Sequence, residues 1–146
     1  MIKVILVDDE KMALEELEYA LEQFENIEVQ KTFSDPLEFL KELPNYNPDA
    51  VFLDIEMPEV NGFVVCEEVL AQRPDTMIIF VTAYDEYAIK AFEANALDYA
   101  LKPVTQKRLE QTVAKIFSKK PENRENMQAS GLSQFDHYLK MNMNKI

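Results

Sequence analysis

Along the first 120 residues, short apolar runs alternate with segments of helical period. Val4-Ile5-Leu6-Val7, Ala50-Val51-Phe52-Leu53 and Met77-Ile78-Ile79-Phe80-Val81 are continuous and rich in β-branched residues, the pattern of strands buried on both faces of a parallel sheet. Two further segments alternate: Ile27, Val29 and Phe33 stand among Glu28, Gln30 and Thr32, and Leu97, Tyr99 and Leu101 among Asp98 and Ala100. Alternation predicts half-exposed edge strands. Between the strands lie five helical stretches. The first, from about Lys11 to Phe24, places Leu14, Leu17, Leu21 and Phe24 on one stripe and Glu15, Glu18 and Glu22 on the other. The second opens at Ser34-Asp35-Pro36, with Asp35 suited to the N-cap and Pro36 to the first turn, and ends before Pro44. The third runs from Gly62 to about Gln72, the fourth from roughly Asp85 to Asn95, and the fifth from about Thr105 through Leu109, Val113, Ile116 and Phe117.

Five strands and five helices in strict alternation predict an α/β fold, a flavodoxin-like doubly wound (βα)5 three-layer sandwich. With the two alternating strands at the edges, the parallel sheet takes the order 2-1-3-4-5. Its topological switch point falls between strands one and three, and ligands of such sheets bind outside the carboxyl ends of the strands there. The site is therefore expected just after Val7 and just after Leu53.

Beyond Lys119-Lys120-Pro121 no period is sustained, so residues 121–146 are expected to form a linker or loosely ordered tail behind a domain of residues 1–120. A short helix around Phe135 to Met141 is a further candidate. The charge divides at the same place. Residues 1–120 hold 12 basic and 24 acidic side chains against three of each in the remainder, so the whole net charge of -12 lies in the domain. Such a chain is expected to repel nucleic acid and anionic membrane, and to regulate DNA only through another domain.

The scarce residues exclude whole classes of chemistry. With only Gly62 and Gly131, neither a GxGxxG fingerprint nor a Walker-type loop can be written. One cysteine, Cys66, and one histidine, His137, exclude an internal disulfide and multi-cysteine or histidine-rich metal centres, leaving a hard cation held by oxygens. No apolar run approaches the ~20 residues of a membrane span, and the start lacks the apolar stretch of a signal peptide, so the expectation is a cytoplasmic protein.

At the predicted strand ends, Asp8-Asp9-Glu10 follows strand one, Asp54 follows strand three, Thr82-Ala83 closes strand four and Lys102-Pro103 closes strand five. Carboxylates from Asp8, Asp9 and Asp54 crowded into one crevice repel each other by a few kcal/mol per pair, on the order given by an intermediate dielectric, unless a cation intervenes. Few oxygen ligands with room for water suit Mg²⁺. With Mg²⁺ and the Lys102 ammonium present, one carboxylate can attack a phosphoryl group, because that transfer is mainly positioning and charge neutralisation. Asp54, alone on the central strand, is the natural nucleophile, and Thr82 supplies a hydroxyl.

Val7-Asp8-Asp9-Glu10, Leu53-Asp54-Ile55-Glu56-Met57-Pro58 with Asn61-Gly62, Val81-Thr82-Ala83 and Leu101-Lys102-Pro103 resemble, in order, the motifs of the receiver domain of two-component response regulators. The resemblance covers about Met1 to Lys119. It implies that Asp54 is the phosphoacceptor, charged by a sensor histidine kinase or a small donor such as acetyl phosphate. Asp9 and Asp54 would hold Mg²⁺ directly, with the backbone carbonyl of Glu56 as third protein ligand and Asp8 acting mostly through water. Thr82, Ala83 and Lys102 would bind the phosphoryl group, with Pro103 a candidate for a cis peptide bond. Thr82 and Tyr99 would form the switch pair, and helix four, strand five and helix five the output surface. Glu56 and Tyr84 fall where the family varies and tunes its dephosphorylation. The stretch from Thr82 to Phe92 and Ala96-Leu97-Asp98-Tyr99 looks like receivers that precede LytTR-type or related transcriptional output domains; no such domain fits in residues 121–146. The implied role is that of a phosphoacceptor rather than an enzyme, one that assists its own phosphoryl transfer and dephosphorylation.

Plainer readings stand beside these. Asp8-Asp9-Glu10 alone suits a charged helix N-terminus, Tyr99 an ordinary edge-strand aromatic, Cys66 a small packing residue, and His137 a solvated tail position. Lys107, Arg108, Lys115, Lys119 and Lys120 on helix five face Asp85, Glu86, Glu93 and Asp98 around helix four either as solvated faces or as the halves of a homodimer. Competing functions are a haloacid-dehalogenase-like phosphatase, whose DxDx(T/V) motif Asp54-Ile55-Glu56-Met57-Pro58 does not match, a flavin-binding relative, whose phosphate loop needs neutral donors, and a stand-alone receiver or binding module acting by protein contact.

Overall fold

The computed structural model describes residues 1–120; the tail of residues 121–146, with the candidate helix around Phe135 to Met141, lies outside the described residues. Five strands, β1 (Ile2–Val7), β2 (Ile27–Phe33), β3 (Ala50–Leu53), β4 (Met77–Thr82) and β5 (Asp98–Leu101), alternate with five helices, α1 (Lys11–Glu22), α2 (Pro36–Glu42), α3 (Gly62–Gln72), α4 (Ala88–Glu93) and α5 (Gln106–Lys119). All strands pair in parallel in the order β2-β1-β3-β4-β5. The expected α/β class and strand order are therefore what the chain adopts.

The continuous apolar runs are buried because helices cover both faces of the sheet. On one face Ile5, Val7, Val51, Leu53 and Phe80 pack with Phe39 of α2 and Phe63, Val65 and Val69 of α3. On the other, Val4, Leu6, Phe52 and Ile79 pack with Leu14 and Leu21 of α1 and Leu109, Val113 and Ile116 of α5. Asp35 caps α2 by accepting from the Leu37 amide, Asn61 caps α3 by accepting from Phe63, and Thr105 caps α5 by accepting from Arg108. Each side-chain oxygen satisfies an amide that the first helical turn leaves without a partner.

Three local features differ from the sequence pattern. The β1–β2 register shifts between Val4 and Ile5, so Val4 pairs with Val29 but Ile5 with Lys31, and the alternation of β2 is broken at Gln30. On β5 the buried positions are Asp98 and Ala100, whereas Leu101 is exposed. That face lies under α5, whose Arg108, Thr112 and Lys115 all bind the Asp98 carboxylate. α4 is shorter than the Asp85 to Asn95 expected. Its C-terminal end is set by Asn95 at φ 65, a left-handed residue that closes the helix, and its start is displaced by tyrosine contacts described below.

Candidate functional site

The carboxyl ends of β1, β3, β4 and β5 converge because the strands are hydrogen-bonded neighbours in register: Val7 pairs with Leu53, Leu53 with Phe80, and Thr82 with Leu101. The residue following each strand is thereby held at one rim. The Asp54 amide donates to the Val7 carbonyl at 3.1 Å, and the Lys102 amide to the Thr82 carbonyl at 2.8 Å.

Asp8 and Asp54 are buried, at 7% and 5% exposure, and both meet Lys102. The Lys102 Nζ lies 2.7 Å from Asp8 Oδ2, 3.0 Å from Asp54 Oδ2 and 3.1 Å from Glu10 Oε1. Asp8 Oδ1 also accepts from the Glu10 amide, and Asp54 Oδ1 from the Ile55 amide. Burial pushes the Asp8 carboxyl above its usual range, against the hydrogen bond from Lys102. Burial also works against the Lys102 ammonium, but the hydrogen bonds and charges of Asp8 and Asp54 outweigh it and hold the lysine above its usual range. Three carboxylates against one ammonium leave two formal negative charges uncompensated.

Asp8, Glu10 and Asp54 bring their oxygens within 4.8 Å of one another. An all-oxygen, net anionic donor set of this kind fits a hard divalent cation such as Mg²⁺. Asp9 is half-buried and stands outside that grouping, and Glu10, to which the sequence reading gave no role, stands inside it. No local spacing marks Glu10: the chain bends at Asp9, and its partner Lys102 lies 92 residues away.

Gly62 fixes the loop after Asp54. Its amide donates to the Ile55 carbonyl at 2.8 Å, and a β-carbon there would stand 2.1 Å from the Asp54 carbonyl oxygen. Only glycine lets α3 start this close to the Asp54 backbone.

Thr82, fully buried, accepts from the Tyr84 amide through Oγ1 at 3.4 Å; Ala83 is exposed and lines the crevice. Tyr99 is partly buried and its hydroxyl donates to the Tyr84 carbonyl. The Lys102–Pro103 peptide bond is cis. Glu56 is exposed, and its Oε1 accepts from the Tyr87 hydroxyl at 2.6 Å. Beside Asp54 opens a crevice of about 400 Å³, walled by Met12, Leu17 and Ala20 of α1 and by Pro103 and Val104, with Asp8, Glu10 and Lys102 at its polar end.

The basic residues expected to be displayed by α5 are largely engaged within the chain. Arg108 Nη2 and Lys115 Nζ pair with Asp98 Oδ1 at 2.8 and 3.1 Å, and Lys120 is buried, its Nζ 3.4 Å from Asp49 Oδ2. Cys66 is buried in the core, and burial pushes its thiol up to about 11, away from thiolate chemistry. No helix among the described residues is long and apolar enough to cross a membrane.

A family model described as the response regulator receiver domain matches residues 4–114. An uncharacterized response regulatory protein of Vibrio cholerae is 46% identical over 119 residues, covering 80% of this chain and 48% of that protein. The sensory transduction protein LytT of Bacillus cereus is 42% identical over 120 residues, covering 82% of this chain and 49% of that protein. The chain thus spans about half the length of the curated relatives it matches. The response regulator protein TrrA of Thermotoga maritima, solved in complex with Mg²⁺ and BeF, is 34% identical with a TM-score of 0.71, the match covering 80% of this chain and 99% of that one.

Proposed function

The chain belongs to the response regulator receiver domain family, and from that premise we propose that residues 1–120 are a receiver in which Asp54 accepts a phosphoryl group from a sensor histidine kinase. The observation that supports this most is the buried Asp54 carboxylate, held 3.0 Å from the Lys102 ammonium at the open end of the central strand. In the transfer, an Asp54 Oδ attacks phosphorus, an acyl phosphate P–O bond forms, and the donor P–N bond breaks with its electron pair kept by the imidazole. Lys102, already within 3.1 Å of three carboxylates, is placed to pair with the phosphoryl oxygens as charge gathers on them. The Thr82 hydroxyl and the Ala83 amide are the further donors for that group, and Thr82 with Tyr99 is the switch pair. Hydrolysis of the acyl phosphate by water returns Asp54 and releases phosphate.

Asp9, Asp54 and the Glu56 carbonyl would hold Mg²⁺, with Asp8 through water and Glu10 at the rim; bound there, it supplies charge neutralisation to the transfer. The relatives' extra length supports an output domain beyond residue 120, of LytTR or a related transcriptional type, through which alone the protein would meet DNA. The surface of α4, β5 and α5 would carry the signal and a homodimer contact. With Arg108 and Lys115 pairing internally, exposed Ile89, Phe92 and Leu101 are its more available contacts. The protein's place is cytoplasmic, where the kinase domain presents its phosphohistidine.

Titration with beryllium fluoride, a phosphoryl mimic, tests the site. The native chain should bind it only with Mg²⁺ present and Asp54→Asn should not bind it at all; binding by both chains, or by neither, contradicts the assignment.

A further inference from the structure

Glu56 places a third kind of carboxylate beside the phosphoacceptor, one that faces solvent and that no cation pairs among the described residues. It lies two residues beyond Asp54, on the loop that joins β3 to α3. Lys102, the ammonium of the site, is already shared by Asp8, Glu10 and Asp54. A free Glu56 side chain would therefore repel the incoming phosphoryl group or compete with it for Lys102.

What holds Glu56 is tyrosine. Tyr87 donates its hydroxyl to Glu56 Oε1 at 2.6 Å. The Tyr87 ring is fixed in turn, 6.1 Å edge-on from Phe63 of α3 and 6.3 Å from Tyr84. The Tyr84 carbonyl is tied by the Tyr99 hydroxyl. The Tyr84 carbonyl is thus taken by this cluster rather than by the helix, and Tyr87 becomes the N-cap residue of α4. None of Glu56, Tyr84 and Tyr87 walls the crevice that leads to Asp54, which opens instead along α1.

We propose that Tyr87 is a positioning residue that draws the Glu56 carboxylate toward α4 and so keeps its charge off the path of the phosphoryl group. The inference rests on the reading of Asp54 as phosphoacceptor. Tyr87 touches neither the phosphoryl group nor Asp54; it acts only through the charge of Glu56, and that makes it separable from a packing role on Phe63.

The test is the initial rate of phosphorylation by acetyl phosphate with Mg²⁺, followed by intact mass, for the native chain, Tyr87→Phe, Glu56→Gln and the double variant, with thermal unfolding of each as a folding check. Tyr87→Phe should slow the native chain about threefold to tenfold, the range of one solvent-exposed hydrogen bond, and the slowing should shrink at high salt. In the Glu56→Gln background the same substitution should change the rate by less than about twofold, because the charge to be held is gone. Equal slowing in both backgrounds assigns Tyr87 to packing and overturns the proposal, as does no slowing in either. A native chain that gains no phosphoryl group overturns the Asp54 reading and this inference with it, whereas normal gain with unchanged ratios overturns this inference alone.

Discussion

The chemistry of the site depends on how single side chains are held. Lys102 is the hub: without its ammonium, Asp8, Glu10 and Asp54 would stand with their oxygens within 4.8 Å and no internal counter-charge. Gly62 is the backbone counterpart. A β-carbon 2.1 Å from the Asp54 carbonyl and 2.8 Å from the Ile55 α-carbon has only main chain to push against, and main chain in a packed loop yields at a cost. Gly62→Ala should lower stability by about 1–3 kcal/mol in urea unfolding, as overpacking does, and should weaken Mg²⁺ binding through the displaced Asp54 loop. Stability and Mg²⁺ affinity both equal to the native values would show that the loop relaxes freely. The places of Asp54, Lys102, Thr82 and Gly62 at one rim were legible in the sequence because each ends or follows a strand or opens a helix at a fixed place. Glu10 and Tyr87 were not, since their roles arise from partners 92 and 31 residues away.

Between elements, β5 and α5 are joined by a charged staple. The Asp98 carboxylate accepts from Arg108 at 2.8 and 3.0 Å, from Thr112 at 2.6 Å and from Lys115 at 3.1 Å. Burial alone would raise its pKa, but the Arg108 and Thr112 hydrogen bonds and the two cations overcome this and pull it down to about 2. A carboxyl depressed in the folded state gives stability that is present above its unfolded pKa and lost as pH falls through the folded one. The Asp98 contribution, about 2 kcal/mol, should therefore fade from about pH 4 down to about pH 2. Unfolding measured across that window should show a flatter pH dependence for Asp98→Asn than for the native chain; identical slopes would place the acid sensitivity elsewhere. β5 is the half-exposed edge strand that its alternation predicts, and the staple explains which face it buries. A buried carboxylate with five donors, the Tyr99 amide at 2.9 Å among them, is satisfied and needs no water, so Asp98 rather than Leu101 takes the face under α5. The strands of continuous apolar residues carried no such ambiguity, because a helix covers each face. The limits of α4 were illegible for a related reason: the helical pattern from Asp85 onward is real, but the Tyr84 carbonyl, a would-be helical acceptor, is taken by the Tyr99 hydroxyl.

For the molecule as a whole, the order β2-β1-β3-β4-β5 turns dispersed acids into one crevice. The net charge of -12 sets its character: such a domain is expected to repel phosphate backbones in general, while two uncompensated charges at one rim suit the proposed dication and a single phosphoryl group. The sheet order followed from the hydrophobic pattern, and the place of the crevice followed from the sheet order, which is why the two could be read together. The central claim is that Asp54 takes up that phosphoryl group. Its most direct test is incubation with acetyl phosphate and Mg²⁺ followed by intact mass. The native chain should gain one phosphoryl group that is lost on removal of the donor, and Asp54→Asn should gain none; an unmodified native chain, or equal modification of Asp54→Asn, would contradict the account.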